Sequence, residues 1–124
     1  MPMRSSPSVK VTYFDKDLVW RSLRRFVSEL AETHPEVRRV MLFGSLARGD
    51  AVPGSDVDLL LVLAASDEAF LDRIPRYTPS PFPVPVEVFP YTEGELEALL
   101  EQRNRFVQRA LSEGISLLNA DSEP

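Results

Sequence analysis

The sequence predicts an α/β (α+β) fold, a small mixed β-sheet flanked by helices. Three observations lead there. Residues 37–43 and 56–63 are short runs that become almost continuously apolar, the pattern of strands covered on both faces. Other segments carry apolar residues every three or four positions, as helices that bury one side do. The resulting order is helix, strand, strand, helix, strand, helix, and short segments alternating in this way build a sandwich around a small sheet.

Each element has its own justification. The first ten residues, with Pro2, Pro7 and several serines, read as a flexible tail. Asp15 is placed to cap a helix over residues 15–33, whose apolar stripe is Leu18, Val19, Leu23, Phe26, Val27 and Leu30. His34-Pro35 closes it, because the residue before proline avoids helical geometry. His34, the sole histidine, reads as a plain surface residue at a helix end. Residues 37–43 form the first strand, which ends at Gly44-Ser45 and gives way to a helical turn through Leu46, Ala47 and Arg48. A loop marked by Gly49, Pro53 and Gly54 leads to the second strand over 56–63. A short helix is expected over 66–74 with Ser66 as its cap. Five prolines between 75 and 85 make a stiff connection. A third strand is placed over 86–89, and Pro83 and Pro85 put its start at a sheet edge or outside the ladder. Thr92 and Glu95 form a capping box for one long last helix that includes Leu96, Leu99, Leu100, Phe106, Val107, Ala110 and Leu111. Gly114 stops it, and 115–118 adds a terminal strand.

The bulk numbers narrow the function. At 124 residues the chain has room for one domain, 1–124, able to bury a core. Without cysteine it holds neither a disulfide framework nor a thiolate metal site. Its longest apolar run, 57–65, contains an aspartate and is too short to span a bilayer, and the N-terminus lacks a signal-peptide core. These features fit a cytoplasmic protein. The net charge of −5 argues against general nucleic-acid binding, which rests on basic residues that neutralise phosphates. Arg103, Arg105 and Arg109 offer either a docking surface or an ordinary solvated face.

The chemistry concentrates between residues 43 and 58. Asp56 and Asp58 are two apart on a strand, so alternation aims both at one face, roughly 7 Å apart at the backbone. Such a pair is either a solvated strand start or a seat for cations that bridge the two and also bind phosphate oxygens. Gly44-Ser45 lies where a buried strand turns into helix. Either this is a plain turn, or glycine lets backbone approach a ligand there and the first amides of the turn are free to bind phosphate.

The spacing joins these pieces. Gly44-Ser45, ten residues, then Asp56-Val57-Asp58 resembles the signature of the DNA polymerase beta-like nucleotidyltransferase superfamily. Arg48, Gly49 and Ser55 are similar to its minimal members. Leu46 stands where the family often has arginine. The resemblance is tight over residues 40–63, and it implies the family's palm and its reaction, transfer of a nucleoside monophosphate from an NTP (AMP from ATP) to a hydroxyl with release of pyrophosphate. It also implies that Gly44 and Ser45 hold the outer phosphates and that Asp56 and Asp58 ligate two Mg²⁺ ions, with Mn²⁺ as a substitute. Arg48 either touches phosphate or pairs with an acid to fix the loop, and Ser55 either orients Asp56 or caps the turn. The family wants a third carboxylate on a neighbouring strand. Alternation puts Val86 and Val88 toward the core and Glu87 on the side of Asp56 and Asp58, as third ligand and general base; Asp50 and Asp72 are the fallbacks. Many minimal members pair with a HEPN-domain protein as toxin and antitoxin, which gives a candidate partner. Competing readings are a non-catalytic nucleotide- or partner-binding module and transfer to a small hydroxylated molecule.

Overall fold

The computed structural model describes residues 14–120; the tail expected over 1–10 lies outside them. Among the described residues four strands form one sheet: β1 (Val37–Phe43), β2 (Val57–Leu63), β3 (Val86–Thr92) and β4 (Ile115–Asn119). Their spatial order is β3-β2-β1-β4. β1 runs antiparallel to both β2 and β4, whereas β2 and β3 are parallel. The sheet is therefore mixed, as the sequence predicts.

The apolar runs in β1 and β2 exist because helices cover both faces. On one face Val40, Leu42, Leu59 and Leu61 pack with Val19, Leu23, Val27 and Leu30 of α1 (Lys16–Thr33). On the other, Met41, Phe43, Leu60 and Val62 meet Leu96 of α4 (Glu93–Glu101) and Val107 and Ala110 of α5 (Arg105–Glu113). A leucine buried as fully as Leu59 or Leu61 contributes about 1.5–3 kcal/mol, so this double core dominates stability. The remaining helices are α2 (Ser45–Arg48) and α3 (Phe70–Tyr77). α3 lies in the crossover that two parallel neighbours such as β2 and β3 require.

Local sequence sets most boundaries. The Asp15 side chain accepts a hydrogen bond of 3.0 Å from the Leu18 amide and starts α1. Thr92 and Glu95 complete the expected capping box at the start of α4. Leu18, expected in the buried stripe of α1, is instead 39% exposed. His34 is more than a surface residue. Its Nδ1 lies 3.1 Å from Glu36 Oε2, its ring meets Tyr77 edge-on, and the Tyr77 hydroxyl donates to the same Glu36 oxygen at 2.7 Å.

Several element boundaries need correction. The helix expected over 66–74 is displaced: Ser66 Oγ accepts from the Glu68 amide and closes a turn, and α3 begins at Phe70. Its buried side is Arg73 and Tyr77, four apart with Ile74 beside them, so the apolar period begins later than the cap suggests. α3 also runs through Pro75, which leaves 78–85 as the proline-rich connection; an exposed proline near the end of a short helix removes one hydrogen bond at the solvent side. The single long last helix is two. A continuous stripe from Leu96 through Leu100 and Val107 would put position 103 on the buried side, but Arg103 is there and adopts φ 59°. Asn104 then caps α5 by accepting from the Val107 amide at 3.0 Å. Finally, β2 begins at Val57 rather than Asp56, and β3 continues past 89 to Thr92. Pro90 is fully buried inside β3, which an edge strand tolerates.

Candidate active site

The site begins where β1 stops. After Phe43 the chain must turn away from the sheet, and Gly44 does so with φ 83° and ψ −160°, a combination that favours glycine. A second constraint also demands glycine at this position. A Cβ on Gly44 would collide with Oδ2 of Asp58, so the backbone bend and the carboxylate are pressed together. Ser45 follows as the first residue of α2, whose opening amides have no carbonyl within the helix to bond.

Asp58 is brought there by register. It pairs with Phe43 across the antiparallel β1–β2 ladder and with Glu87 across the parallel β2–β3 ladder. Alternation along β3 sends Val88 into the core with α1 and leaves Glu87 on the opposite face, with its carboxyl group beside that of Asp58. Asp56 precedes the strand, near enough for its charge to act on Asp58. Burial, the charges of Glu87 and Asp56, and the hydrogen bond to Glu87 together push Asp58 from an ordinary 3.8 up to about 6, against the lowering pull of Arg48. Two of the three predicted acids are thus in contact and the third contributes through its field. Among the described residues no three His, Cys, Asp or Glu side chains gather closely enough to hold a metal ion as they stand.

The other predicted residues sort themselves by their partners. Arg48 pairs with acids: its Nε lies 3.3 Å from Asp50, and its NH1 lies 3.2 and 3.4 Å from the two oxygens of Glu113. Ser55 Oγ accepts from the Val52 amide at 2.9 Å and so closes the 52–55 turn. Of the fallback acids, Asp50 is engaged with Arg48, and Asp72 is exposed in the first turn of α3, where a negative charge suits the helix N-terminus.

The sequence model of the nucleotidyltransferase domain family matches residues 22–115, well over half of the chain. The chain belongs to that family. It is a nucleotidyltransferase enzyme. Among solved structures it is similar to a nucleotidyltransferase-type protein from Sulfolobus solfataricus, with a TM-score of 0.53 and 24% identity, over 76% of this chain and 81% of that one. It is also similar to a toxin-antitoxin structure containing AMP-PNP, with a TM-score of 0.54 and 18% identity, over 79% of this chain and 74% of that one. At these identities the likeness is one of fold. No curated protein matches the chain.

One residue bonded to the Gly44 bend is missed by sequence reasoning. Glu113, at the end of α5, accepts from the Gly44 amide at 2.8 Å as well as from Arg48. It is 69 residues from Gly44, so no local spacing reveals it. The one available signal is an acid in the last turn of a helix, where the dipole disfavours it.

Proposed function

We propose that this nucleotidyltransferase moves AMP from ATP to a hydroxyl group, and that the hydroxyl belongs to a HEPN-domain partner in a cytoplasmic toxin–antitoxin pair. The observation that carries the chemistry is the contact of Asp58 with Glu87 directly beside the Gly44 bend. The partner rests on the resemblance to minimal nucleotidyltransferases and is supported by the toxin-antitoxin structural neighbour that holds AMP-PNP.

The donor set suits a divalent cation. It is all oxygen, which hard ions such as Mg²⁺ or Mn²⁺ prefer, and burial together with the neighbouring negative charges raises Asp58 in a way that a positive ion would relieve. Drawn closer together than they stand, Asp56, Asp58 and Glu87 would hold two such ions, which would supply charge neutralisation on the triphosphate and on the attacking oxygen. Ser45 and the opening amides of α2, beside Gly44, bind the outer phosphates. Glu87 is exposed on the far side of Asp58 from this anchor, so an acceptor approaches from the β3 side. The acceptor oxygen forms its bond to the α-phosphorus, its proton passes to Glu87, and the bond to pyrophosphate breaks. Positioning and electrostatics do most of the work in such a transfer.

The test is to incubate the chain with its co-purified partner and Mg-ATP, then record intact masses. A partner that gains one AMP unit while pyrophosphate is released supports the proposal. Pyrophosphate release with the AMP on a small hydroxylated molecule instead would redirect the acceptor assignment. ATP binding with neither product would sink it.

A further inference from the structure

We infer that Glu113 is a positioning residue, whose carboxylate pins the Gly44 bend by its own amide and thereby fixes the triphosphate anchor relative to Asp58. The inference deepens the nucleotidyl-transfer reading above and rests on it.

The Gly44 amide donates to Glu113 Oε2 at 2.8 Å, and Arg48 NH1 donates to both oxygens of the same group. One carboxylate thus ties together the bend and the end of α2, with its side chain only 17% exposed. Its place in the fold is costly by default. α5 ends at Glu113, where the negative pole of the helix opposes a negative charge, so the contacts to Gly44 and Arg48 must offset that repulsion. Its base is also held firmly. A Cβ on the following residue, Gly114, would lie 2.6 Å from the Ala110 carbonyl oxygen and 2.8 Å from Met41 Cε, so the helix end sits tight against β1.

The consequence runs through Gly44. A Cβ at this position would already collide with Asp58, so any shift of the bend changes the room that Asp58 has. The amide of Gly44 is spent on Glu113, which leaves phosphate binding to Ser45 and the turn after it. A rigid tether behind an anchor is what a site needs when small displacements of bound phosphate carry large losses in rate.

The test uses three variants of the full chain. Glu113→Ala removes the tether, and Glu113→Asp shortens it by one methylene. Glu113→Gln keeps an oxygen that accepts from the Gly44 amide but removes the charge. Each is titrated with inorganic tripolyphosphate in the presence of Mg²⁺, a probe that reads the anchor without nucleoside, acceptor or turnover. The Ala and Asp variants are expected to bind about 10–100-fold more weakly, with Gln close to the parent. The KM for ATP is expected to rise in the same order. A purely structural role would lower thermal stability without producing this ranking. Unchanged binding in the Ala and Asp variants overturns the inference, and so does tighter binding, which would make Glu113 a competitor of phosphate. Equal losses in Gln and Ala also overturn it, because charge on Arg48 would then matter and not the tether. If Glu113→Ala does not fold, the Asp and Gln pair carries the same comparison. A parent that binds tripolyphosphate and shows this ranking yet transfers no nucleotide would refute the transfer reading and leave the role of Glu113 in place.

Discussion

At the start of β3, Glu87 lies against Asp58, with Asp56 nearby, and like charges are forced together. Toward the far end of the same strand Arg73 reaches in from α3. Its NH1 donates to the Pro90 carbonyl at 3.0 Å and to Glu95 at 2.6 Å, and its NH2 donates to Glu95 at 3.0 Å. Arg73 is buried and every one of these partners is an acceptor, so the guanidinium is satisfied. The two ends move their carboxyl groups in opposite directions. Arg73, helped by the Thr92 amide, lowers Glu95 from 4.5 to about 2, while burial and its acidic neighbours raise Asp58 to about 6. One end is organised for stability. The other keeps an unbalanced charge that only something positive can relieve, which is the property expected of a site rather than of a scaffold.

Four substitutions or titrations can break or sharpen this contrast. The largest effect is expected for Asp58→Asn, which should lower transfer by on the order of 10³-fold, measured as pyrophosphate release. It should also raise the thermal midpoint at pH 7, because it removes a repelled charge without changing shape. A variant that loses activity and stability together would contradict that reading. Glu87→Gln comes next: kcat should fall about 10²–10⁴-fold while the affinity for ATP changes far less. Equal losses in both would argue against a base.

At the other end, Arg73→Met should cost about 2–3 kcal/mol in urea unfolding. That is below the range for a fully buried pair, because Glu95 is 43% exposed and can hydrate once it is alone. Transfer by the folded fraction should be unaffected. The smallest effects are expected in the dependence on pH. Asp58 holds its proton in the folded state between its ordinary 3.8 and about 6, so its contribution weakens folding as pH rises through that window. The gain in midpoint from Asp58→Asn should therefore be present above pH 6 and fade below pH 4. Glu95 contributes stability above its ordinary 4.5, lost as pH falls toward about 2, so the deficit of Glu95→Gln should narrow over that acidic range. Parallel pH curves for the two variants would show that the ends of β3 are not opposites.

Much of this was legible in the sequence, for physical reasons that differ by element. β1 matches its predicted bounds because a strand buried on both faces cannot hide among polar residues. The side of the sheet that Glu87 occupies follows from the two-residue period alone, and Asp58 takes the same side by the same rule. The break between α4 and α5 was written in Arg103 and Asn104, but a stripe that ignores the position between Leu100 and Val107 passes over it. Glu113 was out of reach. Its role depends on α5 folding back beside the end of β1, and no periodicity encodes a contact across 69 residues. The Arg73 pair lay equally out of reach, since a lone arginine in a short helix reads as solvated until the sheet is assembled over it.

The prolines of β3 have a consequence for assembly. A strand at the margin of a sheet ordinarily invites another chain to zip onto its open side. β3 carries Pro90 in its middle and is preceded by Pro83 and Pro85, so this margin lacks the run of donors that such zipping needs. If the acceptor hydroxyl proposed above is carried by another chain, the border that chain approaches offers no ladder to lock onto, so it would be free to depart after transfer.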